Sequence, residues 1–135
     1  MKFMLDTNTL IYLVKNKPVA VAERMNALAE DDAVCMSFVT YGELLKGAEG
    51  STRRAEVLRR LEGLVRQVPV LYATSPKICE HYGAQAARLK AKGTPIGGND
   101  LWIAAHALAE GAVLVTNDEA EFGRIEALSV QNWVT

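Results

Sequence analysis

Five short apolar runs punctuate the chain: KFML at 2–5, VCMSF at 34–38, VPVLY at 68–72, VLVTN at 113–117 and LSVQNW at 128–133. Each is too short for a stable helix and rich in β-favouring side chains, so each predicts a strand. The segments between them carry helical period instead. Val21, Met25 and Leu28 share one face, as do Leu58, Leu61 and Val65, and as do Ile78, Tyr82, Ala86 and Leu89. Ser75 followed by Pro76 predicts a helix start, and Gly93 just beyond Lys92 a stop. A further helix is expected over about 99–110, opening at Asn99 and Asp100 and closing at Gly111. Its body, LWIAAHALA, is apolar nearly all round, which predicts burial against a sheet. Alternating strands and helices imply an α/β domain whose mainly parallel sheet is covered on both faces.

Length narrows this further. At 135 residues the chain suffices for one core and not for two ordinary domains, so a single domain spanning 1–135 and a single site are expected. Half the residues are hydrophobic and 23% are charged, the balance of a globular domain rather than a disordered or fibrous one. Lys2, Asp6 and Asn8 interrupt the opening residues, which excludes a signal-type apolar segment there and makes a cytoplasmic protein the expectation. Cys35, in a predicted strand, and Cys79, in a predicted helix, have neither metal-ligand nor disulfide spacing and are expected to be small buried side chains.

An open parallel sheet binds ligands outside the carboxyl ends of its strands, where the strand order reverses. Asp6 directly follows the first strand, and Asp118 follows the fourth in VLVTND. Asp100 stands in the first turn of the buried helix, and Glu43 lies a turn or so into the helix after the second strand. Singly, each has a plain structural explanation: a turn residue, a residue at the positive end of a helix, a solvated glutamate. Together in one crevice they repel one another and must take up protons or a cation. All-oxygen donors with no Cys or His nearby suit Mg²⁺ or Mn²⁺ rather than zinc. Asn8 and Thr116 are placed to hydrogen-bond the carboxylates or metal-bound water. His81 and His106 have no partner spacing and are expected to be structural or surface residues.

Such a site acts on phosphate esters, because the cation neutralises the phosphate and activates water. Neither GxxxxGK[ST] nor GxGxxG occurs, and GTPIGGND at 93–100 lacks those spacings, so a nucleotide-binding NTPase or dehydrogenase is disfavoured. The net charge of −1 argues at first against a polyanionic partner. Setting four acids aside leaves fifteen bases against twelve acids, or +3. Arg53, Arg54, Arg59 and Arg60 in one predicted helix, and Arg88, Lys90 and Lys92 in another, could hold phosphates, though for any one of them an ordinary solvated helix face is the favoured explanation.

The stretches FMLDTN, SFVTYGELLKGAEG, PIGGNDLWIAAHALAEG and LVTNDEAEF follow the order and spacing found in PIN-domain ribonucleases, and the chain resembles the VapC toxins of type II toxin–antitoxin pairs over essentially its whole length. The resemblance implies a PIN-like three-layer fold with a central, mainly parallel five-stranded sheet flanked by helices. It implies that Asp6, Glu43 and Asp100 are the main acidic residues, with Asp118 as the fourth and Glu121 assisting. It further implies Mg²⁺ or Mn²⁺ dependence, a homodimer, and inhibition by a cognate VapB antitoxin. The opening KFMLDTN and the NW near the end are similar to the subgroup that cuts initiator tRNA in the anticodon region.

Two other classes compete. A receiver-like Mg²⁺-binding phosphoacceptor domain shares the length and the α/β alternation, but it wants paired acids at the first strand and a Lys at the last. A catalytically silent PIN-fold binding module is opposed by the retention of all four acids in one chain.

Overall fold

The computed structural model describes residues 1–72 and 75–135. In chain order the elements are β1 (Lys2–Leu5), α1 (Thr7–Lys15), α2 (Val19–Asn26), β2 (Ala33–Ser37), α3 (Phe38–Glu49), α4 (Arg54–Gln67), β3 (Val70–Leu71), α5 (Pro76–Lys92), α6 (Gly98–Glu110), β4 (Val113–Val115), α7 (Glu119–Phe122) and β5 (Val130–Gln131). The five strands form one sheet in the order β3-β2-β1-β4-β5. Every pairing is parallel, with Met4 opposite both Cys35 and Leu114. From β1 the chain builds outward to β2 and β3, then returns to place β4 and β5 on the other side. The order therefore reverses beside β1, and a crevice is expected between the carboxyl ends of β1 and β4.

Alternation along the buried strands fills both faces. Phe3 and Leu5 point into a core with Leu10, Met36, Leu61, Leu64 and Trp133. Met4 and Cys35 point to the opposite side, against Leu89, Leu101, Ile103 and Phe122. Trp133 is almost fully buried and packs on Phe3 with ring centroids 5.5 Å apart. On the second face α5 and α6 are joined by stacking of Tyr82 on Trp102 at 3.7 Å.

The expected helix signals hold where they were specific. Ser75 caps α5 ahead of Pro76, Gly93 ends it at φ 71°, and Gly111 ends α6 at φ 62°. β1 coincides with its apolar run, and β2 is shifted one residue back because Phe38 already belongs to α3; β3, β4 and β5 are shorter than theirs, with Thr116 and Asn117 beyond β4. The face built from Val21, Met25 and Leu28 loses its last member, because α2 ends at Asn26. Cys35 is buried as expected. Cys79 is not: it lies on the outer side of α5, exposed to solvent. Among the described residues no helix is long and apolar enough to cross a membrane.

Candidate active site

Asp6 is the first residue after β1 and also the N-cap of α1. Its Oδ1 accepts the Thr9 backbone N–H at 2.9 Å, the usual way a short acid satisfies a helix start. Its own N–H donates to the Val115 carbonyl at 3.0 Å, and the Thr9 hydroxyl donates to the same carbonyl at 3.2 Å. These bonds tie the end of β1 to the end of β4. Asp6 is only 6% exposed. Burial pushes its carboxyl up; hydrogen bonds from Thr116 and Thr9 pull it back, and the nearby Asp118 charge raises it further.

Asp118 enters from β4. The Thr116 hydroxyl accepts the Asp118 N–H at 3.0 Å, and Asp118 in turn caps α7 by accepting the Glu121 N–H at 3.1 Å. Glu121 is thereby aimed at the loop before α6, where its Oε1 accepts the Gly97 N–H at 3.1 Å. That loop delivers Asp100, in the first turn of α6. The Asp100 carboxyl is pushed up to about 7, first by burial, then by a hydrogen bond shared with Glu121 and by the charges of Glu121, Glu43 and Asp6. Glu43, on α3, completes the group. Its Oε1 accepts the Thr7 hydroxyl at 2.6 Å, and the Asn99 amide lies 3.5 Å from its Oε2.

Five acids from five segments thus crowd the mouth of the reversal point. Among the described residues none of them forms an ion pair. The donor set is all oxygen, and the neighbouring charges help to raise the proton affinities of Asp6 and Asp100, the chemistry that a hard divalent cation relieves. The side chains are not closed around one point: among the described residues no three His, Cys, Asp or Glu groups stand at ion-holding distance.

Asn8 is exposed in the first turn of α1 and, among the described residues, makes no bond to a carboxylate; the bond to Asp6 comes from the Thr9 backbone N–H, one residue further round the turn. Thr116 does sit between Asp6 and Asp118. Thr7, Thr9 and Asn99 were not singled out by sequence; adjacency to Asp6 and Asp100 was the signal available for them. His106 is buried within α6 and bonds Ser37 Oγ through Nδ1 at 2.8 Å, a core arrangement. His81 is half-buried on α5. Arg54 and Arg60 are engaged by Glu49 and Glu56, so the bases of α4 are partly neutralised where they stand.

The family and the fold are matched among known proteins. The PIN domain family model matches residues 3–128. The chain is 51% identical to ribonuclease VapC1 of Haemophilus influenzae over 98% of both chains. It is 42% identical to the tRNA(fMet)-specific endonuclease VapC of Salmonella typhimurium, again over 98% of both. Among solved structures, VapBC-1 from nontypeable Haemophilus influenzae matches over the full length of both chains with a TM-score of 0.94 and 50% identity. The DNA-bound VapBC of Salmonella typhimurium matches with a TM-score of 0.87 and 42% identity over 98% of both.

Proposed function

The chain belongs to the PIN-domain family and is a VapC-type ribonuclease, and from that premise we propose that Asp6, Glu43, Asp100 and Asp118 form its cleavage centre, supported by Glu121. The observation that carries this is the gathering of five acids, without a paired base among the described residues, where the strand order reverses.

Asp6, Asp100 and Asp118 would hold Mg²⁺ or Mn²⁺, with Glu43 bound directly or through water. A divalent ion there supplies neutralisation of phosphate charge and acidifies water for in-line attack. The remaining steps belong to the chain. Thr7 fixes one carboxylate oxygen of Glu43, and the other, within reach of the Asn99 amide, would orient the attacking water and accept its proton. Thr9 and Thr116 hold Asp6 in one orientation. Glu121, anchored on the Gly97 N–H, steadies the loop that presents Asp100. The test is incubation of the purified chain with total RNA, with Mg²⁺ or with EDTA. Metal-dependent cleavage is expected; cleavage undiminished by EDTA would overturn the metal assignment.

The substrate we propose is initiator tRNA, cut in the anticodon region. The similarity to endonucleases of Salmonella typhimurium and Shigella flexneri named as specific for tRNA(fMet) supports it. Sequencing of RNA 5′ ends after brief expression should give one dominant cut in that tRNA. Cuts scattered across unrelated RNAs would exclude it.

A VapB antitoxin is the partner we propose, supported by the VapBC complexes among the structural neighbours. An arginine of the partner in the crevice would pair with the carboxylates and exclude the cation. Beside Thr7 and Glu43 a groove of about 280 Å³ opens between α1, α3 and α4, lined by Leu10, Val14, Leu44, Val57 and Leu61, and it offers apolar ground for such a segment. Val14, exposed on its rim, should lose antitoxin inhibition when changed to Asp while RNA cleavage continues. We also read the chain as a homodimer, a reading that its mass in solution tests.

A further inference from the structure

An acidic crevice is a poor host for a polyanion. Every phosphate of a bound strand except the one at the cation is repelled there, so a nuclease of this kind needs positive charge close by. The structure offers it in a second cleft, of about 380 Å³, lined by Arg88, Lys92, Thr94, Arg124 and Glu126. The cleft adjoins the acids through one short loop. Arg124 donates to the Pro95 carbonyl at 3.2 Å, and two residues on, the Gly97 N–H donates to Glu121.

This cleft is prebuilt. Gln85 Nε2 donates to the Glu126 carbonyl at 3.0 Å, and the Glu126 N–H donates back to Gln85 Oε1 at 3.2 Å. The Arg88 guanidinium donates to Gln85 Oε1 at 2.9 Å and to the Arg124 carbonyl. Together they latch the 124–126 turn onto α5. Gly123 allows the turn to close, since a Cβ there would lie 2.6 Å from the Glu119 carbonyl oxygen.

The charges are unequal in availability. Arg88 is committed to the latch, and the one acid of the cleft, Glu126, leans on it at 3.4 Å. Arg124 is exposed, and among the described residues its side chain makes one hydrogen bond, to the Pro95 carbonyl, leaving most of its donor fork open. Lys92 is exposed at the end of α5 and, among the described residues, forms no ion pair. We propose that Lys92 and Arg124 bind backbone phosphates of the RNA strand flanking the scissile phosphate, so that the strand runs from the acidic crevice across the 94–97 loop into this cleft. The proposal rests on the acidic crevice being the cleavage site.

Lys92 gives the cleaner test, because Arg124 also holds the loop. In EDTA, with Asp100→Asn in place to lessen repulsion, binding of an RNA hairpin should weaken about tenfold on Lys92→Glu, and the slope of log affinity against log salt should fall by about one phosphate contact. Lys92→Arg should restore both. Equal affinity of the chains with and without Lys92→Glu, or no measurable affinity of either, overturns the proposal. In cleavage with Mg²⁺, Lys92→Glu should raise KM for the hairpin and spare kcat, with the loss confined to long RNA; an equal loss on a dinucleotide overturns it. A native chain that cleaves neither RNA would instead refute the reading of the crevice, while the EDTA binding comparison would still decide the cleft.

Discussion

At the amino ends of the strands, Lys2 meets Glu110 at 3.0 Å and the α-amino group of Met1 meets Asp32 at 2.9 Å. At the carboxyl ends, Asp6, Glu43, Asp100, Asp118 and Glu121 share a crevice, and none has a paired base among the described residues. One sheet thus carries two treatments of the same side-chain chemistry. Where an acid serves the fold, a cation accompanies it, and the proton affinity of Asp32 is lowered by its bond to the α-amino group. Where acids are held together and buried, the proton affinities of Asp6 and Asp100 rise. Such crowding opposes folding, and it persists where it serves a ligand.

Four substitutions probe that contrast. Asp6→Asn should abolish metal-dependent RNA cleavage, by at least about 10²-fold, while circular dichroism shows the fold retained; full activity would remove Asp6 from the site. Thr7→Val frees Glu43 from its 2.6 Å bond and should lower kcat about tenfold with KM little changed. Asp100→Asn should act in the opposite sense on stability. The Asp100 carboxyl is raised from 3.8 to about 7, so its contribution favours the fold at low pH and is lost as pH rises through that window. At pH 8 without metal, the Asn variant should therefore be more stable than the native chain by about 1–2 kcal/mol, allowing for solvent screening of a half-exposed group. The advantage should vanish below about pH 4 and shrink when Mg²⁺ is added. Thermal melts across pH decide this, and an Asn variant no more stable at pH 8 would mean that the acids do not strain the fold. Glu110→Gln, at the paired end, should cost less than about 1 kcal/mol and leave cleavage unchanged.

The positions of Asp6, Asp100 and Asp118 were legible because each sits at a boundary that sequence marks: an apolar run ending in an acid, or an acid opening an apolar helix. Parallel strand architecture then places such boundaries at one edge. What was not legible depends on angles and on distant partners. Asn8 and Thr9 are one residue apart, yet the helical step of about 100° turns one to solvent and the other onto Asp6. α1 itself was obscured by its own composition, since TNTLIYLVK is rich in β-branched and aromatic residues and is separated from β1 by Asp6 alone. The closeness of Glu121 to Asp100 depends on the short α7 turn and on the loop at Gly97, neither of which carries a periodic signal.

The bond from Asp6 N–H to the Val115 carbonyl joins residues from nearly opposite ends of the chain. On the ribosome this becomes a matter of timing. Domains begin to organise from their amino-terminal parts as they emerge, but β1 cannot acquire β4 as a neighbour, nor Asp6 meet Asp118, until β4 and the residues after it have left the exit tunnel. The acid cluster is therefore a late product of synthesis, assembled only after β4 has emerged and long after β1 and α3.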